Sequence, residues 1–207
     1  MTDLLAVGLA SWIIQDGNYG DFRRGDRKAF ALEFFASTDL DKVKAESTTL
    51  PSLERGWGAI HKALGKVVHV TDDWWVIDTG ILIYNEAEKP PTDVRVGDWV
   101  TGEINVGLDP FAYFERLARD PNAPALIYDW EIEKIEMQTS PFVEVQPRLR
   151  TRDPRQLGMM EIDATNAWTD DGGAADYVLH CRRLDGPARR TRSRNDQGSE
   201  KALQSRG

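Results

Sequence analysis

The sequence predicts a mainly β protein, built as a β-barrel or as a strongly bent antiparallel sheet. Short apolar runs with two-residue alternation recur along the 207 residues. Pairs of glycine and aspartate separate several of these runs, and such pairs are typical of tight turns. Apolar residues make up 41% of the chain, which is enough to form a folded core.

The first third of the chain predicts two strands and a short helix. Residues 4–15 are uncharged and mostly apolar, which predicts a long strand buried on both faces. Phe30, Leu32 and Phe34 alternate along a second strand. Apolar residues at helical spacing then predict a short helix near 59–64.

Residues 66–138 predict three strands, a helix and a further strand. Residues 74–84 are apolar on both faces, which indicates one long central strand. Asp109 and Pro110 suit the N-cap and the first helical position, so a helix is expected over 110–119. The alternation of the last strand shifts phase near Lys134, which predicts a β-bulge. This order resembles the five-stranded Greek-key barrel of the OB-fold, a resemblance that implies a fold and not a function.

Two short segments share one pattern. Residues 21–26 and 93–98 both read Asp, apolar, Arg, any residue, Gly, Asp, and a predicted strand follows each. One interpretation is an internal duplication around 21–36 and 93–107. The other is that Gly-Asp turns open these strands independently, since short turn motifs recur easily.

Charge divides the chain into two parts. The net charge is −8, and residues 182–207 carry eight basic and three acidic residues, which leaves −13 for residues 1–181. The sequence therefore predicts one β-rich domain over 1–181 and a basic disordered tail over 182–207. The candidate contact residues of this tail are Arg182, Arg183, Arg189, Arg190, Arg192 and Arg194.

No catalytic or metal-binding motif stands out, and no cofactor is expected. The histidines share no metal-ligand spacing with one another or with Cys181, the single cysteine. Asp78 lies within an apolar stretch, where burial would raise its pKa and suit it to acid–base work. The alternative is a bend that brings Asp78 to water or to a backbone donor. The sequence favours a non-enzyme without deciding the question.

The seven tryptophans indicate a binding surface. Adjacent Trp74 and Trp75 must point to opposite faces of a strand, so one of them is a candidate for an exposed anchor. The candidate binding residues are Trp74, Trp75, Trp99, Glu103 and Trp130. The acidic body disfavours a phosphate-backbone binder and favours a basic protein partner.

Three functions stay open at this point. The first is a non-catalytic acidic β-barrel that binds a protein partner, as an immunity, inhibitor or assembly protein would. The second is an OB-like protein that binds single-stranded nucleic acid through its aromatics and basic tail. The third is an enzyme with a carboxylate site around Asp78. No apolar run reaches membrane-span length and no signal peptide is evident, so no membrane contact and a cytoplasmic location are expected.

Overall fold

Strands make up most of the fold, and the α-helices are short. The computed structural model describes residues 4–36, 39–44, 46, 48–86, 93–146 and 149–191, with backbone alone at 149 and 150. The elements before residue 90 are β1 (Leu5–Ala10), α1 (Ser11–Gln15), β2 (Arg27–Phe30), β3 (Leu32–Ala36), β4 (Asp41–Val43), β5 (Ser52–Arg55), β6 (Ile60–Val70), β7 (Trp75–Asp78) and β8 (Leu82–Asn85). Those after it are β9 (Trp99–Leu108), α2 (Ala112–Glu115), a 3₁₀ turn (Leu117–Arg119), β10 (Tyr128–Gln138), β11 (Phe142–Gln146), β12 (Leu149–Arg152), β13 (Met159–Ile162), a 3₁₀ turn (Asp170–Gly173) and β14 (Asp176–Arg183).

Five strands close a β-barrel, which we call the first circuit. Antiparallel pairings join β3 to β9, β9 to β6, β6 to β7 and β7 to β8. A parallel contact between Glu33 of β3 and Tyr84 of β8 completes it. Alternating side chains such as Phe34, Trp75 and Ile104 are buried in the core. The predicted mainly β fold with a barrel is confirmed.

A second circuit of pairings shares strands with the first. β2 and β3 are separated only by Ala31, and β2 pairs antiparallel with β10. β10 pairs with β14, β14 pairs with β1, and a parallel contact between Gly8 and Gly107 joins β1 to β9. One cluster of buried apolar side chains extends through both circuits, and the free thiol of Cys181 on β14 belongs to it.

The remaining elements extend or cover this framework. β4, β5 and β13 lengthen the sheet, and β11 pairs with β12 as a separate hairpin. Residues of α2 and of the 3₁₀ turn after it belong to a smaller buried cluster with Trp74 and Tyr84. Within the described residues, no helix is long and apolar enough to cross a membrane.

The helix predicted near 59–64 is wrong, because Ala59 lies in a turn and residues 60–64 form the start of β6. β6 pairs with β5 on one side and with β9 on the other over this range. His61 and Ala63 are buried in the alternation that a strand requires. Backbone hydrogen bonds to both neighbours outweigh the local helical spacing, which the preceding Gly56 and Gly58 already weaken.

The helix predicted over 110–119 forms as two short pieces. Arg116 has φ −126° and ψ −60°, which ends α2 before the 3₁₀ turn begins. The N-cap position is Phe111, with a left-handed φ of 83°, and not Asp109. Asp109 still serves the first turn, because its Oδ1 accepts a hydrogen bond from the Tyr113 N–H at 3.1 Å.

Residues 66–138 contain one strand more than predicted before the helix. Residues 74–84 form a hairpin of β7 and β8 instead of one strand, with Gly80 at φ 92° in the turn. The strand after the helix, β10, lies outside the first circuit, and β3 supplies the fifth barrel strand. The predicted β-bulge is confirmed, since the register between β10 and β14 shifts between Ile132 and Lys134.

The folded part continues beyond residue 181. β14 runs to Arg183, so the first two arginines assigned to the tail belong to a strand. Arg189 then forms a bridge with Ile127, with N···O distances of 2.8 and 2.9 Å. The rest of the predicted tail, with Arg192 and Arg194, lies outside the described residues.

Candidate functional site

A cleft of about 360 Å³ opens beside the contact that closes the second circuit. Gly8 and Gly107, which form that contact, both line the cleft. A Cβ atom at Gly8 would lie 3.3 Å from the Ala59 Cβ, and one at Gly107 would lie 3.4 Å from the Glu33 side chain. The two glycines therefore keep the closing contact free of side chains.

Three large aromatic side chains line this cleft and remain substantially exposed. Trp12 is 53% exposed, and Phe35 and Trp57 are each 40% exposed. They come from α1, from β3 and from the turn between β5 and β6. Exposed apolar groups that cluster around a concavity are typical of interaction sites.

The short helix α1 turns Trp12 outwards. The Ser11 N–H donates to the Ala175 carbonyl at 2.9 Å, and the Gln15 Nε2 donates to the Ala167 carbonyl at 2.7 Å. These bonds anchor both ends of the helix to the segment before β14. Ile13 and Ile14 are buried, so Trp12 takes the outer side of the helical turn. The predicted strand over 4–15 therefore ends at Ala10.

The other two aromatics are positioned by a strand and a turn. Leu32 and Phe34 belong to the large buried cluster, so Glu33 and Phe35 point to the opposite face of β3. Trp57 lies in the turn before β6, where its carbonyl accepts a hydrogen bond from the Ile60 N–H at 3.0 Å. Gly58 takes a φ of 60°, a left-handed conformation that glycine adopts without steric cost.

Glu33 is the most unusual residue of the cleft. It is 7% exposed, and among the described residues it has no hydrogen bond or ion pair. Burial, reinforced by the negative charges of Asp109 and Glu86, raises the pKa of Glu33 to about 8. A carboxyl group with this pKa carries a proton over much of the neutral range.

The two acids near Glu33 are hydrogen-bonded to other groups. Asp109 accepts a hydrogen bond from the Tyr84 hydroxyl at 2.5 Å, and burial raises the pKa of that hydroxyl so that it remains a donor. Glu86 forms an ion pair with Arg116. Glu33 is thus the acid of this group without a donor of its own in the described structure.

The cleft lining is acidic. Its described residues include two carboxylates, Glu33 and Asp176, and no lysine, arginine or histidine. Asp176 accepts a hydrogen bond from Arg152 Nε at 3.2 Å, which neutralises it locally. The cleft therefore combines aromatic walls with one unpaired acid, an arrangement suited to binding.

The five residues predicted to bind a partner do not meet at this cleft. Trp74, Trp75 and Trp130 are 4%, 3% and 0% exposed, and Trp130 donates from Nε1 to the Phe30 carbonyl at 3.1 Å. These three indoles pack in the interior. Trp99 is half-buried and Glu103 is exposed on β9. A binding role for this set stays a prediction.

The arginines predicted to contact a partner hold the C-terminal segment in place. Arg182 forms ion pairs with Glu131 and Glu133, and Arg189 pairs with Asp129 at 2.7 Å. The Arg190 guanidinium donates to carbonyls of the segment that follows α2, and Arg183 lies over the Tyr128 ring. The described arginines of the predicted tail are therefore engaged within the chain.

Asp78 takes the second of the two environments that the sequence allowed. It lies at the hairpin between β7 and β8, where its Oδ1 accepts a hydrogen bond from the Gly80 N–H at 2.9 Å. This is an Asx-type turn contact. Over the part of the chain that the structure describes, no group of three or more His, Cys, Asp or Glu residues is placed to hold a metal ion.

Glu33, Trp12, Phe35 and Trp57 are not among the binding residues predicted from the sequence. Glu33 lies on the polar face of an alternating strand, which is usually solvated. The adjacent pair Phe34 and Phe35 carried a usable signal, because neighbours on a strand point to opposite faces. Trp74 and Trp75 form a similar adjacent pair, but both of their side chains are buried.

No protein-family model, curated protein or solved structure matches this chain. Its function is therefore argued from the cleft and from the charge of the chain.

Proposed function

We propose that this chain is a non-catalytic binding protein that engages a basic protein partner through the cleft. The observation that carries the proposal is the set of three exposed aromatics around an acidic lining. Half-exposed indole and phenyl rings have surface left to contact groups beyond the cleft itself. Aromatic side chains of this kind supply much of the binding energy at protein interfaces.

The overall charge supports the same kind of partner. The chain carries a net charge of −8, which attracts a basic protein at long range and raises the association rate at low salt. Long-range attraction and a local aromatic anchor act at different stages of binding. An acidic protein of this design would suit an inhibitor, immunity or assembly role.

The two other functions have less support. An OB-like barrel that binds single strands needs basic groups for phosphate, but Arg182 and Arg189 are paired with acids and the cleft lining is acidic. An enzyme needs a second catalytic group beside its acid. Glu33 has the perturbed pKa that such a site requires, but Asp176, the other carboxylate of the described lining, is paired with Arg152 at 3.2 Å.

The test is a comparison of variants in capture from native lysate. The Trp12→Ala/Trp57→Ala double variant removes two anchors, and Trp168→Ala removes an indole that is 68% exposed but does not line the cleft. We expect the wild type and Trp168→Ala to capture the same basic protein, identified by mass spectrometry. The double variant should lose that capture, and added salt should weaken it.

Two results would contradict the proposal. The first is capture that survives the double variant unchanged. The second is capture of nucleic acid that nuclease abolishes, which would favour the single-strand binder. Purified partner should also slow hydrogen exchange around residues 33–35 and 57–60, and exchange that is unaffected there would place the interface elsewhere.

A further inference from the structure

Glu33 has the properties of a group that could recognise a ligand in the cleft. It is more than nine-tenths buried, lines the cleft and has no hydrogen bond or ion pair among the described residues. Buried carboxylates are ordinarily paired, because an unpaired one is costly. Over the described part of the chain, other partly buried acids are paired, such as Glu131 with Arg182 and Glu136 with His180, but Glu33 has no such partner there.

The surroundings of Glu33 select a positive charge. Asp109 and Glu86 add negative potential at its carboxyl group, and Asp176 lies in the same lining. Among the described lining residues there is no basic side chain that would repel a cation. A cationic group is therefore the complementary ligand for the floor of the cleft.

The walls of the cleft add a preference for a planar cation. Trp12, Phe35 and Trp57 line the same cleft as Glu33. A guanidinium group stacks on aromatic faces and pairs with a carboxylate through two parallel hydrogen bonds. An ammonium group is more strongly hydrated and lacks the planar fork.

We propose that the cleft is an arginine-binding site, in which the partner inserts one arginine side chain between the aromatics and pairs its guanidinium with the Glu33 carboxylate. This inference rests on the proposed function. The partner supplies the guanidinium group, and Glu33 receives it.

Binding of a cation at Glu33 must release a proton. Because the pKa of Glu33 is about 8, the free protein holds a proton there at pH 6 and pH 7. The arginine pairs with the ionised form, so affinity should rise by up to about tenfold per pH unit below 8 and level off above it. Asp176 is paired with Arg152 and Asp109 with Tyr84, so neither replaces Glu33 in this dependence.

The experiment uses N-acetyl-arginine methylamide as the probe, titrated at pH 6, 7, 8 and 9 and followed by tryptophan side-chain NMR shifts. N-acetyl-citrulline methylamide is the neutral isostere, and the lysine analogue tests the preference for a planar cation. We expect citrulline to bind at least about tenfold more weakly at pH 9, with lysine between the two.

The protein variants distinguish the contribution of Glu33 to arginine binding from that of the overall negative charge. Glu33→Gln should lose at least about tenfold in arginine affinity at pH 9, together with the pH dependence. Glu54→Gln is the matched control, because Glu54 is an exposed acid on β5 outside the lining. Glu33→Asp keeps the charge and should retain part of the pH slope. Circular dichroism checks that each variant is folded.

Three results would overturn the proposal. They are equal binding of arginine and citrulline, an unchanged pH profile in Glu33→Gln, and no arginine binding at any pH. Capture of the partner that needs Trp12 and Trp57 but not Glu33 would refute the arginine site and leave the proposed function standing. Failure of all partner capture would instead refute the proposed function, while the probe titration still decides the site.

Discussion

The turn at 21–26 and the turn at 93–98 form the same contacts in different parts of the molecule. In the first, the Arg23 N–H donates to Asp26 Oδ2 at 2.9 Å, and in the second the Arg95 N–H donates to Asp98 Oδ2 at 2.8 Å. The glycine before the last aspartate of each turn has a positive φ, 85° at Gly25 and 98° at Gly97. The shared sequence pattern therefore corresponds to a shared geometry.

Each turn also docks on a neighbouring strand in the same way. The Gly25 N–H donates to the Ile132 carbonyl at 2.7 Å, and the Gly97 N–H donates to the Val67 carbonyl at 2.8 Å. Ile132 and Val67 each lie where the pairing register of their strand shifts. β3, the second strand after the first turn, pairs with β9, the strand after the second turn. Phe34 and Val106, which lie equally far beyond their turns in sequence, are directly opposed.

The two circuits differ at the contact that closes them. Glu33 and Tyr84 close the first, and Tyr84 is covered by residues from α2 and the 3₁₀ turn after it. Gly8 and Gly107 close the second, and the cleft opens there. Both a duplication and two independent Gly-Asp turns would give this match, so the duplication stays a prediction. The difference teaches that a cleft opens where the closing residues have no side chains, and Glu33, which closes the first circuit, also lines that cleft.

The largest expected effect tests whether the circuits fold as one unit. Trp75→Ala in the first and Trp130→Ala in the second should each lower the free energy of unfolding by about 3–5 kcal/mol. Because β9 belongs to both circuits and the β2–β3 segment runs from one to the other, urea unfolding should stay a single transition by fluorescence and by circular dichroism. Two separate transitions in either variant would show that the circuits are independent.

The next effect concerns Glu33 and is pH-dependent. Its pKa is about 8 when folded and near 4.5 as a free side chain, so it costs stability as pH rises from about 4.5 to 8. Glu33→Gln should therefore match the wild type near pH 4 and exceed it at pH 9, by a free energy on the order of 5 kcal/mol. Thermal unfolding across this range measures the difference. Glu103→Gln should keep the wild-type slope, and a parallel curve for Glu33→Gln would contradict the assigned pKa.

A smaller effect tests the equivalence of the turns. Gly25→Ala and Gly97→Ala place a Cβ in a left-handed conformation and should each cost about 1–2 kcal/mol. Gly20→Ala is the control, because its Cβ would meet no atom within 4 Å and its φ is not positive. Chemical denaturation measures all three. If Gly25→Ala left the free energy of unfolding unchanged while Gly97→Ala lowered it, the two turns would not be equivalent.

The smallest effect distinguishes the aspartates of the two turns. Asp26→Ala and Asp98→Ala each lose one hydrogen bond, and both should destabilise less than the glycine changes. Asp98 also pairs with Lys42 at 2.8 Å, which lowers its pKa together with the Arg95 N–H. Melting temperatures at low and high salt should show a salt-dependent loss for Asp98→Ala alone. The same salt dependence at Asp26 would contradict the assignment.

Structural features that depend only on residues close together in the sequence could be predicted from it. The positive φ of Gly25 and Gly97 follows from the Gly-Asp pattern, and the bulge near Lys134 follows from a break in alternation. The strand at 60–64 could not be predicted locally, because its partners β5 and β9 supply the hydrogen bonds that override its helical spacing.

The candidate site depends on even less local information. Glu33 occupies a polar position of β3, and its burial comes from elements distant in sequence that pack around it. Trp12 is exposed because two hydrogen bonds to the segment before β14 end the strand at Ala10. A single sequence contains the signals for the strands of this site but not for the packing that assembles it.

The native thiol of Cys181 allows the opening of the second circuit to be followed without an introduced cysteine. The thiol is 1% exposed within the buried cluster, and burial raises its pKa, so it is a weak nucleophile while β14 is in place. A small alkylating reagent can reach it only when that strand separates from β1 or β10. The alkylation rate therefore measures how often this half of the molecule opens, and an occupant of the cleft that bridges β1, β9 and β14 should slow that reaction.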